Sequence, residues 1–407
     1  MKTIFKISWR NVWRNKARSL VIILAIGFGL WGGIFATAFL NGVIQQMFDS
    51  GIKSHVSHIQ IHHPEYDQER LTELYVDGYD EVEQFLSESD EVVAFSSRTI
   101  ASGMFNTASM VSGVEVIGID PTQEKLTTDL KAHLVEGEYF NGEFAHPVLI
   151  GKQLADKVKV DPGSRIVLTF QNMEGDITSA AFRVAGIYRT ANSGIDERNV
   201  YIMRNEMEEL LGSDGIVNEM AILLNHHEQS GEFREKLQQA FPDHEIRIWS
   251  EIAPELSFMT EFSGIAMLVL VIIILFAMAF GLLNTMLMTI FERTNELGVL
   301  MSVGMNKGRV FLMIMYETCF LVITGAVLGG VLGVITVMLT SSSGIDLTSL
   351  GGEVLMEYGI DTIVFPTLDR IFYLNLSLLV LVTAVAASVY PAWKALKLNP
   401  AEAVRKE

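Results

Sequence analysis

The sequence predicts an α-helical membrane protein with four transmembrane helices and a large α+β domain inserted between the first and second helix. The mean hydropathy is +0.32 and 49% of the residues are hydrophobic, a high share for a soluble protein. Residues 49–261 alternate strand-like and helix-like patterns, which is typical of an α+β domain. Four stretches without charge are longer than the roughly 20 apolar residues that cross a bilayer. They lie between Arg18 and Asp49, Glu261 and Glu292, Glu317 and Asp346, and Arg370 and Lys394.

These patterns divide the chain into nine segments. In chain order they predict an amphipathic interfacial helix at 1–18, a first span at 19–48, the outer domain at 49–261, a second span at 262–290 and a loop with a short helix at 291–309. A third span at 310–340, an outer loop at 341–370, a fourth span at 371–393, which contains Tyr390-Pro391, and a tail at 394–407 follow. In the tail, Asn399-Pro400-Ala401-Glu402 begins a last short helix. Ala36-Thr37-Ala38 has the form of a signal-peptidase site. The apolar run around it is longer than the roughly 7–15 residues of a signal peptide's apolar core, so we expect the first span to be retained.

The distribution of Lys and Arg predicts the orientation. Residues 1–18 hold six basic residues and no acid, the 291–309 loop holds three basic residues, and the tail holds four. The 341–370 loop holds one Arg and five acids. Because Lys and Arg are enriched in cytoplasmic loops, both termini and residues 291–309 are predicted to be cytoplasmic and residues 49–261 extracytoplasmic.

The formal charge of −18 is unevenly placed along the chain. Residues 49–261 contain 16 Lys and Arg and 38 Asp and Glu, a net charge of −22, which leaves +4 for the rest. So acidic an outer domain argues against nucleic-acid binding. It fits a domain held away from an anionic membrane, or one that meets basic partners, although solubility alone is the simpler explanation.

No catalytic constellation is visible, so we expect neither an enzyme nor a cofactor site. The motifs G-x-S-x-G, H-E-x-x-H and G-x-x-x-x-G-K-[ST] are absent. Four histidines fall between His55 and His63, but no carboxylate or cysteine is placed to complete a metal site, so a strand with solvated histidines is expected. The single cysteine, Cys319, lies in the third span and excludes an internal disulfide.

Small and charged residues within the spans predict how the helices pack. Ala25, Gly29 and Gly33 form a small-residue face in the first span, and Gly325, Gly329 and Gly333 form two successive G-x-x-x-G steps in the third. Such faces permit close helix packing, within one chain or between two. Glu317 is costly in lipid, so we expect it to pair with the basic N-terminal helix or with Arg309.

The segment Phe291–Arg309 carries most of the charge of the second membrane region. Glu292, Arg293 and Glu296 fall at helical spacing, and Leu297, Leu300 and Met301 form an apolar stripe. Such a short amphipathic helix is an interaction element, or else a tight helix connection whose charged side chains reach the membrane surface.

These features together resemble the MacB/FtsX-like permease family of ABC transporters. Glu292-Arg293, Glu296-Leu297-Gly298 and Gly304 are similar to its E-R-x-x-E-[IL]-G coupling segment. Other matches are Glu317 with the glycines after it, the ending Tyr390-Pro391-Ala392 with Asn399-Pro400-Ala401-Glu402-Ala403, and the outer stretch Gly137–Val167, in which Ser164 stands where Asp is common. Without a fused ATPase, the chain is most similar to lipoprotein-releasing permeases of the LolC/LolE type.

The resemblance implies a mechanism and partners. The outer domain would be MacB-like and the location a bacterial inner membrane. The permease would pair with a second, identical or homologous protomer and bind a soluble ABC ATPase dimer. The residues implied in ATPase coupling are Glu292, Arg293, Glu296, Leu297, Gly298, Leu300, Met301 and Gly304. Their motion would reach the outer domain by mechanotransmission rather than through a wide pore.

The substrate implied is a lipoprotein or another amphiphile that enters from the outer leaflet, with an outer carrier or adaptor as a further partner. Apolar residues at the outer ends of the first two spans are candidates for contact with acyl chains or membrane lipids; they are Phe39, Ile44, Met47, Phe48, Phe258, Met259 and Phe262. Two alternatives remain open. One is an FtsX-like signalling scaffold that controls a cell-wall hydrolase, and the other is export of a peptide or drug-like compound.

Overall fold

The structure is a computed structural model that describes residues 2–140, 142, 144–190, 192–351, 362–368 and 370–396. It forms two compact units. The helical unit comprises residues 1–44, 262–347 and 363–407, and the α/β unit comprises residues 45–261 and 348–362. The helix predicted from Asn399 and residues 352–361 of the predicted outer loop lie outside the described residues.

The helices and strands are numbered in chain order. The helices are α1 (Lys2–Arg14), α2 (Lys16–Gly51), α3 (Tyr66–Glu69), α4 (Tyr79–Ser87), α5 (Pro121–Thr127), α6 (Lys152–Val158), α7 (Ser193–Arg198), α8 (Arg204–Leu211), α9 (Ser230–Ala240), α10 (Trp249–Ile252), α11 (Pro254–Glu292), α12 (Thr294–Ser302), α13 (Lys307–Ser343) and α14 (Arg370–Leu396). The strands are β1 (Ile59–His62), β2 (Val92–Asn106), β3 (Val111–Ile119), β4 (Leu134–Gly137), β5 (Pro147–Gly151), β6 (Arg165–Gln171), β7 (Ile177–Tyr188), β8 (Asn199–Met203), β9 (Glu219–Leu224), β10 (Glu245–Ile248), β11 (Ile345–Asp346) and β12 (Ile363–Val364).

Among the residues that the structure describes, four helices are long and apolar enough to cross a membrane, as the sequence predicts. The candidate spans are Ser19–Val56, which includes a short π-helical turn, Pro254–Glu292, Lys307–Ser343 and Ile371–Leu396. The fourth helix continues past Pro391 to Leu396. A proline costs a helix one hydrogen bond, but helices packed in a membrane tolerate it because neighbouring groups satisfy the freed carbonyl.

The N-terminal helix α1 packs on α13 within the helical unit. The ring of Phe320 lies 4.9 Å from that of Phe5 and 5.1 Å from that of Trp9, both edge to face. The Ser8 hydroxyl donates to the carbonyl oxygen of Met313 at 3.0 Å. The aromatic side of α1 is therefore partly covered by protein.

The α/β unit is built around one long strand. The strand order is β10-β1-β9-β2-β3-β8-β5-β7-β4, with β6 paired to β2 and β7. The first half of β2 pairs with β9, and the second half pairs with β3 and β6. Strand β2 thus joins two lobes, each with its own apolar core. We call them the β1 lobe, with β10, β1 and β9, and the β8 lobe, with β3 to β8.

Helix α5 begins at Pro121, with the Asp120 carboxylate accepting from the backbone of Thr122, and ends at Thr127 because Thr128 is extended. One local prediction in the α/β unit is wrong. The histidines of β1 are not solvated: His58 and His62 are 9% and 7% exposed. Strand β1 lies between β9 and β10 and has no open edge, so its side chains are covered.

Candidate functional site

The Phe291–Arg309 segment folds as a short helix between two long ones. Helix α11 ends at Glu292 and α12 begins at Thr294, so Arg293 is the joint between them. Gly304 follows the end of α12 and has a φ of +101°, a conformation that favours glycine. The Asn306 side chain then accepts from the backbone of Gly308 at 3.1 Å and caps α13.

The two sides of α12 differ in exposure. Leu297 is 2% exposed, and Leu300 and Met301 pack against the core of the helical unit, so the apolar stripe seen in the sequence faces inward. The outward side is also apolar: Val299 is 50% exposed and Val303 is 83% exposed. Sequence reasoning missed these two valines, although their spacing of four residues marks one helix face.

The charged residues of the segment form a chain of ion pairs. The Arg293 guanidinium donates through Nη1 to both carboxylate oxygens of Glu317, at 2.8 and 2.9 Å, and through Nε to Glu296 at 3.1 Å. Glu296 in turn accepts from Arg14 at 2.5 Å. Side chains from α1, α12 and α13 are therefore connected through the joint residue Arg293. Sequence reasoning missed Arg293 as a partner of Glu317.

The inner and outer pairs have different surroundings. The Arg293 and Glu317 side chains are 12% and 11% exposed, whereas Arg14 and Glu296 are about half exposed. The hydrogen bonds from Arg14 hold the pKa of the Glu296 carboxyl below its usual value. A cavity of about 40 Å³ borders the inner pair and also touches Asn11. It is large enough for a water molecule or two, which reduces the cost of burying the pair.

Two further residues that the sequence predicts to couple to the ATPase are Glu292 and Gly298. Glu292 is exposed at the end of α11, and Gly298 is buried beside Leu297 on the inward side of α12. The segment thus combines an inward face fixed by packing and charge with an outward side on which Val299 and Val303 are exposed beside the polar Asn295 and Ser302.

The glycines of α13 bring it into close contact with α2. A Cβ atom placed on Gly329 would lie 2.3 Å from the carbonyl oxygen of Gly27, a distance at which the backbone must move. Equivalent atoms on Gly325 and Gly333 would meet Ile26 and Ile34 within 3 Å. The contact is made within one chain.

The small-residue face predicted in the first span faces α11 rather than α13. Cβ atoms on Gly29 and Gly33 would make ordinary contacts of 3.6 and 3.5 Å with Met278 and Ile274 of α11. Ala25 is exposed. Gly27 was missed because the i, i+4 pattern of small residues in α2 places it on a different face.

The candidates for acyl-chain contact are scattered. Phe258 and Phe262 are exposed, whereas Phe39 and Ile44 are half-buried. Met47 and Met259 line an apolar cleft of about 210 Å³ in the α/β unit.

Phe48 does not share that environment. It is 5% exposed and packs against the rings of His227 and Trp249 at 4.9 and 4.8 Å. Its ring therefore faces the interior of the α/β unit, away from any acyl chain.

Comparison with known families identifies the fold and the class of protein. Residues 19–240 match the MacB-like periplasmic core domain, and residues 268–400 match the FtsX-like permease C-terminal domain. The first match covers more than half of the chain. The chain belongs to the MacB-like periplasmic core domain family. It is an ABC transporter permease of the LolC, MacB and FtsX type, a membrane protein with an extracytoplasmic domain.

This MacB-like permease has relatives that match most of its length. It is 25% identical to the lipoprotein-releasing system transmembrane protein LolC of Xylella fastidiosa (strain 9a5c), over 71% of this chain and 72% of that protein. It is 21% identical to LolC of Buchnera aphidicola subsp. Schizaphis graminum, over 98% and 96%. The crystal structure of the periplasmic region of MacB from Actinobacillus actinomycetemcomitans aligns with 51% of this chain and 94% of that one, at 12% identity and a TM-score of 0.36.

Proposed function

We propose that this permease is moved by a separate, soluble ATPase that binds the outward side of α12. The observation that carries the proposal is the exposure of two valines one helical turn apart, Val299 on α12 and Val303 at its C-terminal end, which are 50% and 83% exposed. Exposed apolar side chains grouped in this way mark a protein contact or a membrane contact. ATP hydrolysis would take place in that partner; no phosphate-binding loop of the G-x-x-x-x-G-K-[ST] type occurs in residues 1–407.

Force applied to α12 would pass to α13 through the inner ion pair. Arg293 lies at the joint and is held by Glu317, so α12 cannot swing without moving α13 or breaking the pair. A desolvated pair costs several kcal/mol to break, because the remaining charge stays buried, and it therefore acts as a stiff link. The close contact of Gly329 with Gly27 extends the link to α2.

The orientation and assembly follow from the same proposal. Both termini and α12 would lie on the cytoplasmic side, as the Lys and Arg distribution favours, and the α/β unit would lie outside. Two permease protomers, identical or homologous, would pair above two ATPase subunits. Helices α2 and α11 continue along the chain into the α/β unit, so their movement would reach it without a wide pore.

The proposed substrate is a lipoprotein released from the outer leaflet of the inner membrane. Two relatives that span most of this chain are described as lipoprotein-releasing system proteins. The apolar cleft that Met47 and Met259 line offers a surface for an acyl chain. An outer carrier would then accept the released lipoprotein.

The docking of the ATPase can be tested by one substitution and a matched control. Val303→Asp places a charge in the middle of the proposed contact and should reduce the ATPase that co-purifies with the chain by about tenfold or more, because a buried unpaired charge is costly. Val111→Asp is the control, since Val111 is also a well-exposed valine, at 61%, but lies on β3 of the α/β unit.

Folding can be checked separately with the single cysteine. Cys319 is half-buried in α13, so its rate of labelling by a thiol reagent reports on opening of the helical unit. Wild-type ATPase recovery with Val303→Asp, at unchanged labelling, would show that the ATPase does not bind this side of α12.

A further inference from the structure

The α/β unit contains a polar cleft between its two lobes. The cleft has a volume of about 520 Å³, within the range of small-molecule binding sites. Gln60, His62 and Arg247 line it from the β1 lobe, and Arg198 and Asn199 line it from the β8 lobe. Clefts between lobes are favoured places for ligands, because each lobe contributes its own polar groups.

The floor of the cleft has an uncompensated negative charge. Arg98 is fully buried and donates to Glu124 at 2.7 Å and to Glu219 at 2.5 Å, so one guanidinium serves two carboxylates. Glu124 lies away from the cleft and also accepts from Ser96 and Thr128. Glu219 lines the cleft; one of its oxygens accepts from Arg98, and the other lies 3.6 Å from His62 Nε2. The second oxygen can take a cationic group.

The histidine next to Glu219 does not supply that cation. His62 Nδ1 lies 3.0 Å from the carbonyl oxygen of Asn218, which can only accept, so Nδ1 carries the proton. Its Nε2 lies 3.1 Å from Gln60 Oε1 and 3.6 Å from Glu219. Burial lowers the pKa of His62, which favours the neutral ring at pH 7.

The walls of the same cleft carry positive groups. Arg70 is paired with Glu115 at 3.0 Å. Arg198 is exposed on α7, and Arg247 also reaches the cleft from β10. Glu255 is an exposed carboxylate that also lines the cleft. The cleft therefore offers arginines that can bind an anion and carboxylates that can bind a cation.

We infer that this cleft binds a zwitterion, an ammonium group joined to a phosphate or carboxylate. The ammonium would lie at Glu219 and Glu255 and the anion at Arg198 and Arg247. Arginine suits phosphate and carboxylate because its fork of donors can bind two oxygens at once. Lipids with an ethanolamine headgroup and short peptides share this chemistry. The inference does not depend on the ATPase.

Binding can be measured on the full-length chain in detergent by titration calorimetry. The probe is glycerophosphoethanolamine, with glycerol phosphate and ethanolamine as single-charge comparisons. We expect saturable binding of the zwitterion and binding at least about tenfold weaker for each comparison, since each forfeits one set of charge-assisted hydrogen bonds. Equal affinity for all three compounds, or no binding of the zwitterion, would overturn the inference.

Variants locate the site without disturbing the buried cluster. Arg198→Gln and Glu255→Gln change exposed residues of the cleft and should each weaken binding about tenfold. Arg165→Gln and Glu174→Gln change exposed residues of the β6–β7 hairpin and should leave binding unchanged. If all four variants bind like the wild type, the zwitterion binds elsewhere and the inference fails.

The source of the zwitterion is decided by competition. Nanodiscs containing phosphatidylethanolamine, compared with phosphatidylglycerol nanodiscs, test a lipid headgroup, and triglycine tests a soluble peptide. Displacement by phosphatidylethanolamine alone assigns the site to a lipid headgroup. Displacement by triglycine alone assigns it to a peptide. Failure of both to displace the probe would contradict a natural zwitterionic ligand.

Discussion

Removing one partner of the Arg293–Glu317 pair should destabilise the helical unit strongly. In Arg293→Ala the Glu317 side chain, which is only 11% exposed, would lose the two hydrogen bonds of 2.8 and 2.9 Å that its carboxylate accepts now. Breaking a buried ion pair in this way costs about 3–5 kcal/mol. The adjacent cavity of about 40 Å³ admits water and places the expected cost near the lower end, about 3 kcal/mol.

The cost can be measured through Cys319, which lies two residues after Glu317 on the same helix. If labelling requires opening of the helical unit, about 3 kcal/mol corresponds to labelling roughly a hundredfold faster at the same temperature. Replacing both partners by methionine removes the unpaired charge and should return labelling to near the wild-type rate, as in other buried pairs. The double variant therefore separates the effect of the pair on folding stability from its effect on the transfer of motion from α12 to α13.

The double variant also tests the functional claim. It should remain folded and retain the ATPase, yet the ATPase should no longer respond to substrate, because the stiff link from α12 to α13 is gone. Labelling of Arg293→Ala at less than about fivefold the wild-type rate would refute the argument from burial, since that is below about 1 kcal/mol. A double variant with full substrate response would refute the argument for transmission.

Three further predictions concern other parts of the chain. Gly329→Leu should abolish stable folding, whereas Gly281→Leu, where nothing lies within 4 Å of a Cβ, should not; yields of folded protein compare them. Arg14→Glu should cost only about 0.2–1 kcal/mol because its pair with Glu296 is exposed, and the reversed pair Arg14→Glu with Glu296→Arg should restore the wild-type melting temperature. Burial lowers the pKa of His58 to about 4 from 6.5, so its contribution to stability is present above pH 6.5 and is lost as the pH falls toward 4. His58→Gln should therefore reduce the fall in melting temperature between pH 7 and pH 4.5; an equal fall in both proteins would contradict the assignment.

The layout of the chain could be predicted because it depends on local patterns. Uncharged apolar runs mark the four long helices, and alternating strand-like and helix-like patterns mark residues 49–261 as an α+β domain. The strand pairing could not be predicted in the same way, since β2 pairs with three partners that are distant along the chain.

The contacts that define the candidate site depend on tertiary structure. The sequence singled out Glu317 as costly in lipid, but only the packing of the helices shows that Arg293 reaches it. The glycine repeat of α13 was visible, while its partner Gly27 was not, because nothing local distinguishes Gly27 from Gly29. Burial of His62 likewise depends on strands β9 and β10, which flank β1.

The central claim is that a separate ATPase drives this permease through α12. The most direct measurement is purification of the chain from its native membrane in mild detergent, followed by mass spectrometry of everything that remains bound. The proposal predicts a soluble ABC ATPase together with a triacylated lipoprotein, and it predicts that the ATPase is lost from Val303→Asp. Recovery of a cell-wall hydrolase with the ATPase, and of no lipid-anchored cargo, would favour an FtsX-like signalling role over lipoprotein release. Recovery of the chain without any ATPase would contradict the claim.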